Sequence, residues 1–183
     1  IEDTGFYLPK SKHDRLVPVY TYDEKGKVIM AADTELGKIL QFPKRSDNNH
    51  YAGGGGMSGT AMDYMIFIQA LLNKGEYGGK RILSRKTIEV MTSDQLILLN
   101  EKGTGYSNIP GITYGLGFSL KTEEGTAHGH KSAGTYGWGG YFNTKFFIDP
   151  EEDLVFVGMT QIVPFRRNDF WDKMYAIIYG SID

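Results

Sequence analysis

The chain has 183 residues, a hydrophobic share of 40%, 12 Tyr, 10 Phe and a formal net charge of -2. Mixed charges without a basic stripe argue against a nucleic-acid surface, and no apolar run approaches the ~20 residues of a membrane-spanning helix. With no Cys there are no disulfides and no thiol chemistry, although that names no compartment.

Residues 1 to 50 read as irregular, punctuated by Pro9, Pro18 and Pro43, with "TYDEKGKVI" turning as a hairpin at Glu24 to Gly26. A helix begins at Thr60, whose hydroxyl can cap the amide of Asp63, itself an acid suited to the positive helix end. Met62, Met65, Ile66, Gln69 and Leu72 recur at helical spacing. Ala61, Phe67, Ile68 and Leu71 fill the rest of the circumference, which predicts burial on more than one side up to a stop at Gly75.

Ser84 starts a second helix that ends near Ser93, with Leu83 and Ile88 placed as a hydrophobic staple. A polar loop with Gly103, Gly105 and Pro110 follows. "ITYGLGFSL" then reads as a strand broken by Gly115 and Gly117. "YFNTKFFID" is a second, turning at Asp149-Pro150-Glu151, and the nearly continuous apolar run "LVFVGMTQI" is a third, as in a central strand covered on both faces. Phe170, Trp171, Met174, Tyr175, Ile177 and Ile178 give a last helix one apolar face. The fold class expected is α+β: an antiparallel sheet with packed helices, the final one lying on it. Three strands with a covered centre need further neighbours. Together with a start at Ile1 and no initiator Met, this predicts that the chain is part of a longer polypeptide.

Several local patterns invite chemistry. Gly54, Gly56 and Gly59 satisfy G-x-G-x-x-G, but no buried strand leads into them and no ribose-binding acid follows, so a close-packed turn is the better reading. Ser58 misses the nucleophile elbow because Thr60 occupies its final glycine position. His128 and His130 would share a strand face, but no third ligand has a recognisable spacing, His13 and His50 lying far upstream; a polar strand edge is favoured and no metal is expected. "KSAG", Lys131 to Gly134, only faintly suggests a substrate strand. In "GTYGWGGYFNTKFF", Gly137, Gly139 and Gly140 flank Trp138 and let another backbone or an acyl group come close. The amide of Tyr141 could then donate to a developing oxyanion, with a simple glycine-rich bulge as the competing reading.

Taken in order, "EDTGFYLPKSKHDRLVPVY", "GGGGMSGTAMDYMIFIQALLNKGEYGGKRILSRKTIEVMTSDQ", "YGLGFSL" and "GWGGYFNTKFFIDPEEDLVFVGMTQ" resemble the C-terminal half of the serine β-lactamase and penicillin-binding-protein superfamily, in its class C-like and esterase branch. The resemblance runs from Glu2 to about Gln161. It implies three active-site boxes: Ser-x-x-Lys with the nucleophile, Tyr-x-Asn or Tyr-x-Ser, and a strand segment that is Trp-Gly-Gly in the esterase branch. Trp138, Gly139 and Gly140 match the third box, and Tyr141 takes the place whose amide completes the oxyanion hole. No serine here has a lysine three positions on (Ser11 meets Asp14, Ser58 meets Ala61, Ser84 meets Thr87), so the first two boxes are expected upstream.

The implied fold takes three strands of a five-stranded sheet from residues 1 to 183 and two from the missing N-terminal portion. The implied parent is a serine hydrolase of esters or of β-lactam or peptide amides, bacterial, of the periplasm or cell envelope, and without cofactor. Its expected partners are the missing half and a small acyl substrate. Alone, the chain would be inactive and, with an uncovered sheet edge, self-associating. The alternative is a non-catalytic binding or regulatory module on the same scaffold.

Overall fold

A computed structural model describes residues 1–35, 37, 42–44, 51–97, 109–167 and 169–182. The expected polar loop at Gly103 and Gly105 lies outside them, as does His50. The chain forms two compact units. One comprises residues 1–64, 139–144 and 158–166, the other residues 65–138, 145–157 and 167–183.

In the first unit, β1 (Tyr20–Tyr22) and β2 (Val28–Met30) form the expected antiparallel hairpin, in register Tyr20↔Met30 and Tyr22↔Val28. Its turn is held by Asp23, whose carboxylate accepts from the amides of Lys25 at 2.9 Å and Lys27 at 2.8 Å, the local bonding that makes Asp a turn residue. Tyr20 also pairs with the segment around Ile162: its amide donates to the Gln161 carbonyl at 2.7 Å, and the Val163 amide donates back at 3.0 Å.

Helix α1 (Ala61–Leu72) starts as expected, the Asp63 amide donating to the Thr60 hydroxyl at 3.1 Å. Asp63 does more than suit the helix end. Its carboxylate accepts from the amides of Asp3 at 2.7 Å and Glu2 at 3.3 Å and from the Thr4 hydroxyl at 2.9 Å. Burial opposes its ionisation, yet these three donors outweigh that and hold the carboxyl below its ordinary range. Ile68, Ala70 and Leu71 are buried on more than one side of α1, as expected, and only its first turn opens outward, Met62 being 69% exposed.

The stop lies one residue earlier than Gly75 at C′ would place it. Lys74 takes the left-handed conformation (φ 58), and the Gly75 amide bonds the Ala70 carbonyl at 2.7 Å while the Lys74 amide bonds Leu71 at 3.0 Å, the paired bonds of a Schellman motif. Gly75 is required for another reason: a Cβ there would stand 2.1 Å from the Leu83 carbonyl oxygen. Between them, β3 (Glu76–Tyr77) and β4 (Lys80–Arg81) make a short hairpin through Gly78 and Gly79, both at positive φ. The Gly-Gly pair was a legible two-residue turn signal. Helix α2 (Arg85–Met91) is capped by Ser84, whose hydroxyl accepts from the Thr87 amide at 3.0 Å, and Ile88 is buried as the staple requires.

The main sheet has five strands in the order β5 (Ile112–Tyr114), β6 (Ser119–Lys121), β7 (Tyr136–Gly139), β8 (Lys145–Asp149), β9 (Leu154–Gly158). β5–β6 and β6–β7 are antiparallel. The links from β7 to β8 and from β8 to β9 are too short for a parallel crossover. The α+β antiparallel class is as expected, but the expected count of three strands is not. Gly117, at φ 91, bends "ITYGLGFSL" so sharply that it folds into two strands, and "YGWG" is a strand in its own right. Nor is β9 central. It closes the order, and all five of its residues are half-buried.

Helix α3 (Phe170–Tyr179) packs on β8 and β9 through Trp171, Tyr175 and Tyr179, spaced four apart along one stripe. Phe147, wholly buried, stacks on Phe156 and Tyr179 at centroid distances of 5.2 and 5.9 Å and meets Tyr175 edge-on. Ile177, expected on that face, is 68% exposed, and Tyr179 takes its place in the core contact.

Candidate active site: strand β7 and its hairpin loop

β7 owes its place to glycine. A Cβ on Gly137 would stand 2.2 Å from the Phe146 carbonyl oxygen, so only glycine admits β8 at this distance. The next residue, Trp138, is 41% exposed, and its ring meets Tyr114 edge-on at 5.1 Å. Tyr114 is on β5 and Trp138 on β7, so the pair reaches past the strand between them. Ser119 of that strand donates to the Gly137 carbonyl at 3.0 Å. The result is an aromatic surface at one end of three strands.

Gly139 closes β7, and the chain then makes a hairpin loop rather than entering β8 at once. The Gly140 amide donates to the Thr144 carbonyl at 2.9 Å, the Asn143 amide donates to Gly140 at 3.0 Å, and Asn143 sits at φ 61. This is the three-residue hairpin loop in which a turn is followed by a left-handed residue. "YFNTKFFID" therefore does not begin a strand at Tyr141, as expected; the strand starts at Lys145, because Asn tolerates the left-handed region and ends the extended run. Tyr141 occupies the loop tip at 71% exposure, and its amide meets no acceptor among the described residues.

Trp138 belongs to one compact unit, while Gly139, Gly140 and Tyr141 enter the other and form the loop whose tip amide is the candidate donor. Sequence reasoning missed the residues that hold it. Asn143, buried, donates from its side-chain amide to the Thr160 hydroxyl at 3.1 Å, and that hydroxyl lies 3.1 Å from the Phe142 carbonyl and 3.0 Å from the Asn143 carbonyl. An Asn between two apolar runs was the available signal; Thr160 had none.

A second polar cluster lies under α3. Asp149, with no exposed surface, accepts from the Tyr179 hydroxyl at 2.5 Å and from the amides of Ser132 at 3.1 Å and Glu151 at 3.2 Å. Burial raises its pKa, but these donors prevail and hold it below the ordinary value. The same partnership, with burial as the larger cause, pushes the Tyr179 phenol well up. Lys131 rests over the rings of Tyr175 at 4.0 Å and Phe147 at 4.5 Å, and burial, aided by Lys121 and Lys145, brings its pKa down to about 8.

The other sequence candidates come apart. His128 and His130 lie in a bend and not on a strand edge, and Lys121 donates to the carbonyls of His128 and Gly129. Among the described residues no group of three His, Cys, Asp or Glu could hold a metal. Ser58 is tied by its backbone to Gly5 in a reciprocal pair of 2.9 Å bonds. Gly53, Gly54 and Gly55 stand in open space, so the run is not close-packed there; Gly56 alone of the four closes on Ala52. No described helix is long and apolar enough to cross a membrane.

Comparison with known proteins places this geometry in context. A family model described as Beta-lactamase matches residues 1–177. Protein Rv1367c of Mycobacterium tuberculosis is 28% identical over 168 residues, 88% of this chain and 40% of its own. The chain therefore spans well under half the length of the curated relatives it matches. Among solved structures, simvastatin synthase (LovD) from Aspergillus terreus aligns over 98% of this chain and 46% of its own with a TM-score of 0.76 at 18% identity. EstCE1, a hydrolase with promiscuous acyltransferase activity, aligns over 98% and 47% with 0.75 at 22%. A penicillin-binding protein homolog from Caulobacter crescentus aligns over 87% and 43% with 0.52 at 16%.

Proposed function

The chain belongs to the beta-lactamase family over residues 1–177, and we propose that it is the C-terminal part of a serine hydrolase that works through an acyl-enzyme, with its nucleophile on a segment upstream. In this reading Tyr141 supplies one oxyanion donor, worth roughly 3 kcal/mol of transition-state stabilisation. Gly140 is required before it, because a Cβ there would stand 2.2 Å from the Thr144 hydroxyl oxygen. Within their own unit Trp138 and Tyr114 pair as an apolar, neutral surface, a feature that favours esters over anionic β-lactams. Residues 1 to 183 contain no Ser-x-x-Lys, so turnover requires that upstream segment.

The observation that carries this reading is the amide of Tyr141, an exposed loop-tip residue, with no acceptor among the described residues and directly after the Trp-Gly-Gly segment. Tyr141→Pro tests it in the full-length protein. Proline is favoured just after the first residue of such a turn, so the substitution deletes the N–H and keeps the loop. Hydrolysis of a p-nitrophenyl ester should fall about 10²- to 10³-fold in kcat, whereas Tyr141→Ala, which keeps the amide, should not. Equal rates for the two variants would refute the oxyanion role.

The missing Ser-x-x-Lys also favours a second reading, a binding module that kept the scaffold without the chemistry. A serine-directed phosphonate that labels the full-length protein would exclude it. Beyond the missing half, we propose that the isolated chain pairs with a second copy, since β9 has no outer neighbour among the described residues and an open edge is a template for pairing. A concentration-independent monomer in sedimentation would contradict that.

A further inference from the structure

We propose that Thr160 is a positioning residue for the Tyr141 amide, a role that rests on the oxyanion reading above. A three-residue hairpin loop at an exposed tip is ordinarily free to flex, because it is fastened only at its base. Here the base is closed by the Gly140–Thr144 and Asn143–Gly140 backbone bonds. The far side of the loop is fastened as well, by the Thr160 hydroxyl.

The Thr160 hydroxyl has one proton and two acceptor sites, and the loop surrounds it. It accepts from the Asn143 side-chain amide at 3.1 Å and directs its proton between the carbonyls of Phe142, 3.1 Å away, and Asn143, 3.0 Å away. Both carbonyls immediately follow Tyr141. Fixing them fixes the peptide planes on the C-terminal side of the donor, while the Gly140 bonds fix the N-terminal side. Asn143 contributes twice, through its left-handed backbone and its side chain.

Thr160 is itself anchored. The next residues, Gln161 to Val163, are paired on both sides of Tyr20, by the Tyr20 amide to Gln161 and the Val163 amide to Tyr20. The brace thus runs from β1 through residues 160–163 to the loop, all within one compact unit. A donor aimed at a developing oxyanion is useful only while it is held within a fraction of an ångström, since a misplacement near 1 Å costs on the order of 10²-fold.

The experiment has two readouts. Hydrogen exchange of the Asn143 and Gly140 amides is followed in this chain, and kcat and KM for a p-nitrophenyl ester are measured in the full-length protein. Thr160→Val removes the hydroxyl at constant shape, Thr160→Ser restores it, and Asn143→Gly keeps the left-handed backbone while deleting the side-chain donor, should the valine variant fail to fold. The expected result is exchange faster by about 10-fold or more in Thr160→Val and Asn143→Gly. Thr160→Ser should remain near wild type.

In the full-length protein, Thr160→Val should lower kcat about 10- to 100-fold with KM within about twofold, and should add nothing to the loss already caused by Tyr141→Pro. Unchanged exchange in both variants overturns the proposal and leaves the oxyanion reading standing. Faster exchange with unchanged kcat, while Tyr141→Pro still loses activity, overturns it too. If Tyr141→Pro itself keeps full activity, the oxyanion reading falls and this role falls with it.

Discussion

The phenol of Tyr179, on the C-terminal helix, donates a 2.5 Å hydrogen bond to the carboxylate of Asp149, 30 residues earlier at the end of β8 and without exposed surface. The carboxylate holds the Ser132 amide as well, so one ion fastens the helix, the strand and the segment entering β7. A buried charge is tolerable only while its donors stay in place.

Tyr179→Phe should therefore cost about 2 kcal/mol of stability, the scale for a bond to a charged buried group. The effect depends on pH with a definite sign. The folded pKa of Asp149 lies below its ordinary 3.8, so its contribution is complete above that value and disappears as pH falls through the folded pKa. Urea unfolding at pH 7 and pH 3 should show the two proteins converging at low pH; a constant gap would contradict the assignment.

Lys131 works in the opposite direction. Burial holds its folded pKa at about 8 against an ordinary 10.5, so between these values the unfolded chain binds the extra proton and stability rises with pH. The gain from pH 7 to pH 9.5 should be roughly 2 kcal/mol, and Lys131→Met should abolish the slope. Above that window the trend reverses, because burial pushes Tyr175 up to about 12 and Tyr136 higher still, while unfolded tyrosines ionise near 10. Urea midpoints across pH 7 to 11 test both limbs.

Gly137→Ala should destabilise the chain by roughly 3 kcal/mol, the upper end for overpacking, because its methyl would meet the Phe146 carbonyl of β8 and not a movable side chain. Gly54→Ala, in open space, should be near neutral. Thermal melts of the two variants compare the strand with the glycine run directly.

Trp138→Ala should alter substrate preference more than chemistry. Losing the ring that meets Tyr114 removes the apolar surface proposed to favour ester acyl groups. In the full-length protein, kcat/KM for an octanoyl ester relative to an acetyl ester should drop about 10-fold, the value of one or two buried methylenes. An unchanged ratio would remove Trp138 from acyl recognition.

Much of this was written locally. Thr60 and Ser84 capped their helices, the Asp23 to Gly26 turn closed its hairpin, and the ordered "GWGGYFNTKFFIDPEEDLVFVGMTQ" pattern identified the family, because caps, turns and motifs act over a few residues. The same short range set the limits. Gly117 as a bend and "YGWG" as a strand depended on whether neighbouring backbones could pair, which no spacing reports.

By itself, then, the sequence determined the helix starts, the antiparallel class and the family, since each rests on propensity, period or a contiguous motif. Only the tertiary structure decided which residues hold the loop at Tyr141. Thr160 meets Asn143 across 17 positions, Tyr114 meets Trp138 across a strand, and Tyr179 meets Asp149 across 30. Such contacts follow from sheet order and helix docking, which arise from packing the whole core and leave no trace in the local chain.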